Sequence, residues 1–256
     1  MTDYTEQGAI PVEDAAIDDP PTEAEVREAQ LEQHPEQART ATGRPGPLPD
    51  ESDPPPLRVL ALNCTLKASP AKSSSDRMIE LLTASFAELG ATCVAKRVVD
   101  HDVRFGVSTD EGNGDEWPLL RAEILDADIV LVATPIWLGH PSSVCQMMME
   151  RLDAELSETD DHGRLSMVGK VAAVAVVGNE DGAHHVVAQV LQGLNDVGFA
   201  IAAQAGTYWV GEAMQRVDFL DLDNVPEAIT NSVQTVARHA VHLAQLLRVA
   251  PFPPPE

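Results

Sequence analysis

Thr65, Lys67, Ser69, Ser73, Ser74 and Ser75 crowd hydroxyls and one amine into the segment that follows the apolar run Leu57–Asn63. Asp76 and Arg77 then lead a stretch in which Met78, Ile79, Leu81, Leu82, Phe86 and Leu89 recur at helical spacing, with Gly90 as a stop. Free backbone N–H groups at such a helix start, with hydroxyls beside them, suit a phosphate. The same residues serve equally well as plain structure, Ser73 or Ser74 capping the helix. Neither the P-loop pattern nor G-x-G-x-x-G is present. That excludes a P-loop and makes a dinucleotide pyrophosphate a poorer fit than a monoester phosphate.

A second candidate is Thr134-Pro135-Ile136-Trp137-Leu138-Gly139, after the apolar run Ala127–Ala133. Backbone N–H groups near Trp137 and Gly139 could bond the polar edge of a flat heterocycle while Trp137 or Ile136 packs on its face. Pro135 fixes the turn and Gly139 permits close approach. A tight strand–helix turn with a partly buried Trp is the competing reading. The third candidate, Gly178-Asn179-Glu180-Asp181-Gly182, sets two glycines around three polar residues and could wrap a ring's far edge.

Other residues offer weaker chemistry. His140 stands beside the proposed ring and is a candidate proton donor or a structural helix-start residue. His184 and His185 are adjacent, which splays them apart on a helix and makes them a poor metal pair. Asp100, His101 and Asp102 read as solvated charge, Met147-Met148-Met149 as adaptable packing, and Ser142-Ser143 lacks the G-x-S-x-G elbow of a nucleophile. No metal site and no catalytic acid or base emerges.

The three loops need a scaffold that gathers them. Five strand-like runs (57–63, 91–99, 127–133, 169–177 and 199–204) alternate with five helical patterns, near 76–89, 116–125, 141–156, 186–194 and 226–247. Such alternation predicts an α/β doubly wound parallel sheet. Ligands bind such sheets outside the carboxyl ends of the strands, where all three loops fall. Two further loops, Asp100–Asp115 and Ala205–Glu212 with Tyr208 and Trp209, read as walls of a substrate pocket.

Composition divides the chain near Leu57. Residues 1–56 hold 14 acidic against three basic residues and ten of the 19 prolines. Too few large apolar side chains remain there to offset the entropy of ordering, so a disordered, solvating tail is expected. Residues 57–248 form the expected domain, and 249–256 a frayed end. The net charge of -24 argues against a nucleic-acid partner or an anionic lipid surface. No apolar run is long enough to span a membrane, and the first residues lack the features of a secretion signal. Three dispersed cysteines, Cys64, Cys93 and Cys145, fit a reduced cytoplasmic protein and not a cysteine-ligated cluster.

Taken together, the hydroxyl-rich loop, the Thr-Pro-Ile-Trp-Leu-Gly-His-Pro-Ser-Ser segment (134–143) and the Gly-Asn-Glu-Asp-Gly loop (178–182) resemble the flavodoxin-like NAD(P)H-dependent FMN reductase and quinone reductase family. The resemblance spans Leu57 to about Leu247. It implies a five-stranded sheet of order 2-1-3-4-5 with FMN at the switch point. By the same resemblance, Thr65, Lys67, Ser73, Ser74 and Ser75 would lie at the FMN phosphate. Pro135, Ile136, Trp137, Leu138 and Gly139 would flank the isoalloxazine, and Gly178, Asn179, Glu180, Asp181 and Gly182 would close its pyrimidine side. Cys64 departs from the glycine or serine of many relatives. The implied activity passes electrons from NAD(P)H through FMN to a quinone, flavin or other small acceptor, in a homodimer or homotetramer. A flavodoxin-type electron carrier docking on redox proteins is the alternative.

Overall fold

The computed structural model describes residues 55–212 and 216–255. The segment expected to be a disordered tail lies outside these residues, apart from Pro55 and Pro56. Strands β1 (Arg58–Asn63), β2 (Thr92–Arg97), β3 (Ile129–Trp137), β5 (Val171–Gly178) and β6 (Ala200–Val210) form a parallel sheet in the order β2-β1-β3-β5-β6. This is the doubly wound parallel sheet expected from the alternation of runs, in the flavodoxin-like order that the resemblance implies. A sixth strand, β4 (His140–Pro141), pairs antiparallel with the end of β3.

Alternate residues of each central strand point to opposite faces. Val130 and Val132 of β3, with Ala172 and Val174 of β5, face helices α2 (Trp117–Asp126), α3 (Ser143–Leu152) and α4 (Ala183–Asp196). Ile129, Leu131 and Ala133, with Val171 and Ala173, face α1 (Ser74–Glu88) and α5 (Glu227–Val249). Both central strands are buried on both faces, so their sequences read as unbroken apolar runs. Among the described residues, no helix is long and apolar enough to cross a membrane.

Two boundaries differ from the sequence pattern. The expected strand–loop–helix after Ala133 is a longer strand that turns back as a hairpin. Trp137 pairs with His140 and Ile136 with Pro141 across a two-residue turn. Leu138 (φ 52) and Gly139 (φ 76) both take the left-handed conformation that such a turn requires. Gly139 suits it and Leu138, almost wholly exposed, does not. Leu138→Asn is therefore expected to raise stability by about 0.5–1 kcal/mol, read as a higher denaturation midpoint, because Asn tolerates this conformation.

The second difference is at the sheet edge. The expected loop over 205–212 is mostly strand: β6 runs on to Val210 after a register shift in which Ala172 pairs with Ile201 but Val174 with Gly206. The Ala-Ala-Gln-Ala-Gly stretch at 202–206, with no large apolar side chain, hides this continuation in the sequence. Beyond Val249, residues 250–255 run without helix or strand, and Arg164 Nη1 donates to Phe252 O at 3.0 Å.

Candidate functional site

The carboxyl ends of β1, β3 and β5 open into a cleft of about 400 Å³, within the usual range for a small-molecule site. One end is built on the start of α1. Ser73 caps the helix, its Oγ accepting from Asp76 N at 3.2 Å. Ser74 and Ser75 occupy the first turn, where backbone N–H groups have no partner within the helix. Thr65, Lys67, Ser73, Ser74 and Ser75 all line this end. Helix capping and a phosphate-ready donor set, alternatives at the level of sequence, coexist here.

A set of ion pairs and hydrogen bonds fixes the loop that carries these groups. Arg97 Nη1 donates to Lys67 O and Ala71 O, each at 2.8 Å, and its Nη2 pairs with Asp76. Asn63 Nδ2 donates to the same Asp76 carboxylate at 2.5 Å, while Asn63 Oδ1 accepts from Thr65 N at 2.9 Å. The Arg97 guanidinium thus neutralises the carboxylate closest in sequence to the expected anion site. Asp100 takes Ser69 N at 2.7 Å and Ser69 Oγ at 2.5 Å, and these bonds hold its carboxyl below the ordinary range. Asp100 is therefore a loop anchor; no metal-binding group of His, Cys, Asp or Glu forms among the described residues.

Cys64, at the head of this loop, is fully buried. Its hydrogen bond with Cys145 and then its burial push the thiol well above its ordinary value. It packs beside Met148 Sδ at 3.9 Å as a protonated core residue. Ser142 Oγ donates to Cys64 O at 2.6 Å and accepts from Cys145 N at 3.1 Å. That hydroxyl caps α3 and ties the end of β1 to its start.

The other end of the cleft is apolar and aromatic. Pro135, Ile136, Trp137 and Leu138 line it from the hairpin, Gly178, Asn179 and Glu180 from the loop after β5. A Cβ on Gly178 would meet Ile136 at 3.0 Å, so glycine there lets the two walls close together. Gly139, Asp181 and Gly182 do not line the cleft. Gly139 and Gly182 instead pack backbone on backbone, a Cβ on Gly182 falling 2.8 Å from Gly139 Cα. Asp181 Oδ1 accepts from Gly182 N at 2.7 Å.

Trp209, from a stretch expected to wall a pocket, lines the cleft, and so do four residues that were not expected: Leu66, Val177, Asp218 and Phe219. Trp209 stacks at a tilt on Phe219, centroids 5.4 Å apart. Residues 100–115, expected to wall a pocket, contribute nothing to this lining; Arg151 holds them against α3 by bonds to Arg104 O and Ser108 O. Tyr208 faces away from Trp209 and meets His184 edge-on, while His140 meets His185 in the same way at 5.1 Å.

Comparison with known proteins matches residues 57–215 to the NADPH-dependent FMN reductase family model. Over 206 residues the chain is 31% identical to the 8-demethyl-8-aminoriboflavin-5'-phosphate synthase of Streptomyces davaonensis, covering 77% of this chain and 80% of that one. A solved structure of RosB with bound 8-demethyl-8-formylriboflavin-5'-phosphate superposes with a TM-score of 0.70 at 30% identity, covering 77% and 82% of the two chains. A protein of Mycobacterium bovis named divalent metal cation transporter MntH is 39% identical over 199 residues, 75% of this chain; the chain spans only 29% of that protein's length. Family model and sheet order agree with the build of the cleft: this chain belongs to the NADPH-dependent FMN reductase family, flavin oxidoreductases that use FMN with NAD(P)H as electron donor.

Proposed function

We propose that the cleft holds FMN and that the protein passes electrons from NAD(P)H to a small acceptor such as a quinone or a free flavin. One observation carries this reading: a single cleft joins a hydroxyl-rich helix start to an aromatic, glycine-edged slot. That donor set fits a phosphate monoester linked to a flat ring. Thr65, Ser73, Ser74, Ser75 and Lys67 would hold the phosphate through hydroxyls, first-turn N–H groups and an ammonium. Ile136, Trp137 and Trp209 would pack on the ring, with Gly178, Asn179 and Glu180 along its polar edge. The riboflavin 5'-phosphate skeleton named for the RosB ligand supports the same assignment.

Bound flavin supplies the redox chemistry, so the protein's contribution is to bind, orient and exclude water. The rigid anchoring of the phosphate loop by Arg97 and Asp100 serves orientation. Trp137 and Leu138, 55% and 89% exposed, leave an apolar lip open to solvent on which a planar donor or acceptor can settle. The exposed Phe105 and Val107 support assembly with a second copy, and three free thiols suit a reducing cytoplasm.

The test is optical. Purified protein, as isolated or after addition of FMN, should show the absorbance bands of a bound flavin and bleach on anaerobic addition of NADPH or NADH. Protein that retains no FMN sinks the reading; protein that retains it but is not reduced by either nucleotide is an electron carrier. Trp137→Ala is expected to weaken FMN binding about tenfold by removing one aromatic face, a loss of about 1.4 kcal/mol. Fluorescence titration measures this directly, and an unchanged affinity would place the ring elsewhere.

A further inference from the structure

One wall of the cleft comes from a segment that follows β6 and closes back on α1. A short turn at Phe219–Asp221 is held by Arg77, whose Nη1 donates to Phe219 O, Leu220 O and Leu222 O at 2.8, 2.9 and 2.8 Å. The guanidinium also lies 5.4 Å from the centroid of the Phe219 ring. Leu220 N donates to Ser74 Oγ at 3.1 Å, which pins the turn to the hydroxyl-rich end of the cleft. At its other side, Asp218 Oδ1 accepts from Asn179 Nδ2 at 3.2 Å, which pins it to the loop after β5.

Asp218 therefore lines the cleft between the group assigned to phosphate and the group assigned to the ring. The part of FMN that joins phosphate to ring is a ribityl chain, a polyol whose hydroxyls need acceptors. A carboxylate is an acceptor with several lone pairs, and Asp218 Oδ2 has no partner among the described residues. Resting on the placement of FMN in this cleft, we propose that Asp218 is a specificity-determining residue that accepts hydrogen bonds from the ribityl hydroxyls. Arg77 is the positioning residue that holds Asp218 over the chain without touching the ligand. The site thereby selects polyol-bearing flavins over bare ring systems.

Full-length protein freed of flavin by dialysis is titrated with FMN, riboflavin and lumiflavin, the last carrying the ring without the polyol. Asp218→Leu is expected to raise the Kd for FMN and for riboflavin about tenfold, as for a lost hydrogen bond to a charged group, and to leave lumiflavin within about twofold. Arg77→Met should reproduce that pattern; should it fail to fold, the exposed Asp218 still carries the test. Equal weakening of all three ligands, or unchanged binding of FMN and riboflavin, overturns the proposal. Wild-type protein that binds none of the three overturns the flavin assignment itself, a result distinct from a failed Asp218 assignment.

Discussion

Arg151→Met is expected to destabilise the fold by about 3–5 kcal/mol, the usual consequence of removing one partner from a buried ion pair. The side chains of Arg151 and Asp115 are both fully buried, Nη1 to Oδ2 at 2.7 Å. The same guanidinium donates to Arg104 O and to Ser108 O and lies 5.6 Å from the centroid of the Trp117 ring. Losing it leaves the buried Asp115 carboxylate without its cation and frees the two loop carbonyls at once. Urea denaturation followed by tryptophan fluorescence measures the effect, and a change below about 1 kcal/mol would contradict it.

Acid sensitivity follows from the same pair. Burial acts to raise the Asp115 carboxyl, but the N–H groups of Arg104 and Glu111, the Arg151 guanidinium and Trp117 N outweigh it and hold the group at about 2. A depressed carboxyl stabilises the fold at every pH above its unfolded value near 4 and loses that contribution as the pH falls through 2. The difference is worth about 2 kcal/mol. Wild-type stability should fall by about that amount through this window, and Arg151→Met should show a shallower fall.

The second large effect is expected at Gly182. It sits at φ 113, and a Cβ there would fall 2.8 Å from Gly139 Cα and 3.0 Å from Gly139 O. Both obstacles are backbone, so neither can swing aside. Gly182→Ala must push the β3–β4 hairpin away from the start of α4, carrying Trp137 and Leu138 with it. FMN affinity should drop at least tenfold. Gly139→Ala, whose Cβ meets nothing within 4 Å at φ 76, bears only the conformational strain of about 1–2 kcal/mol. Flavin titration of both variants checks the contrast; equal effects would show that the glycine contact does not position the hairpin.

How far each part could be read from sequence tracks how local its cause is. The runs in β3 and β5 were legible because burial on both faces leaves no polar alternation to obscure them. The start of α1 was legible because capping is a matter of neighbouring residues, Ser73 with Asp76. The hairpin at Leu138 was not, since leucine gives no signal for a left-handed turn residue. The continuation of β6 through Tyr208 and Trp209 was concealed by the Ala-Gly pair before it. Asp218 and Phe219 were out of reach altogether: what places them is Arg77, 142 positions upstream of Phe219, and no periodicity connects the two.

The register shift in β6 bears on self-association of the sheet. This strand is one of the two outer ones, with β2 at the other edge, and a straight outer strand offers its free N–H and C=O groups to any extended chain. Between Ile201 and Gly206 the pairing with β5 slips, and Gln204 turns to φ 55. Here the Nδ1–H of His239 donates to Ala203 O at 2.7 Å, so one edge carbonyl is already taken. A foreign strand approaching this side meets a kink where it needs a regular ladder, which blunts this edge for strand addition.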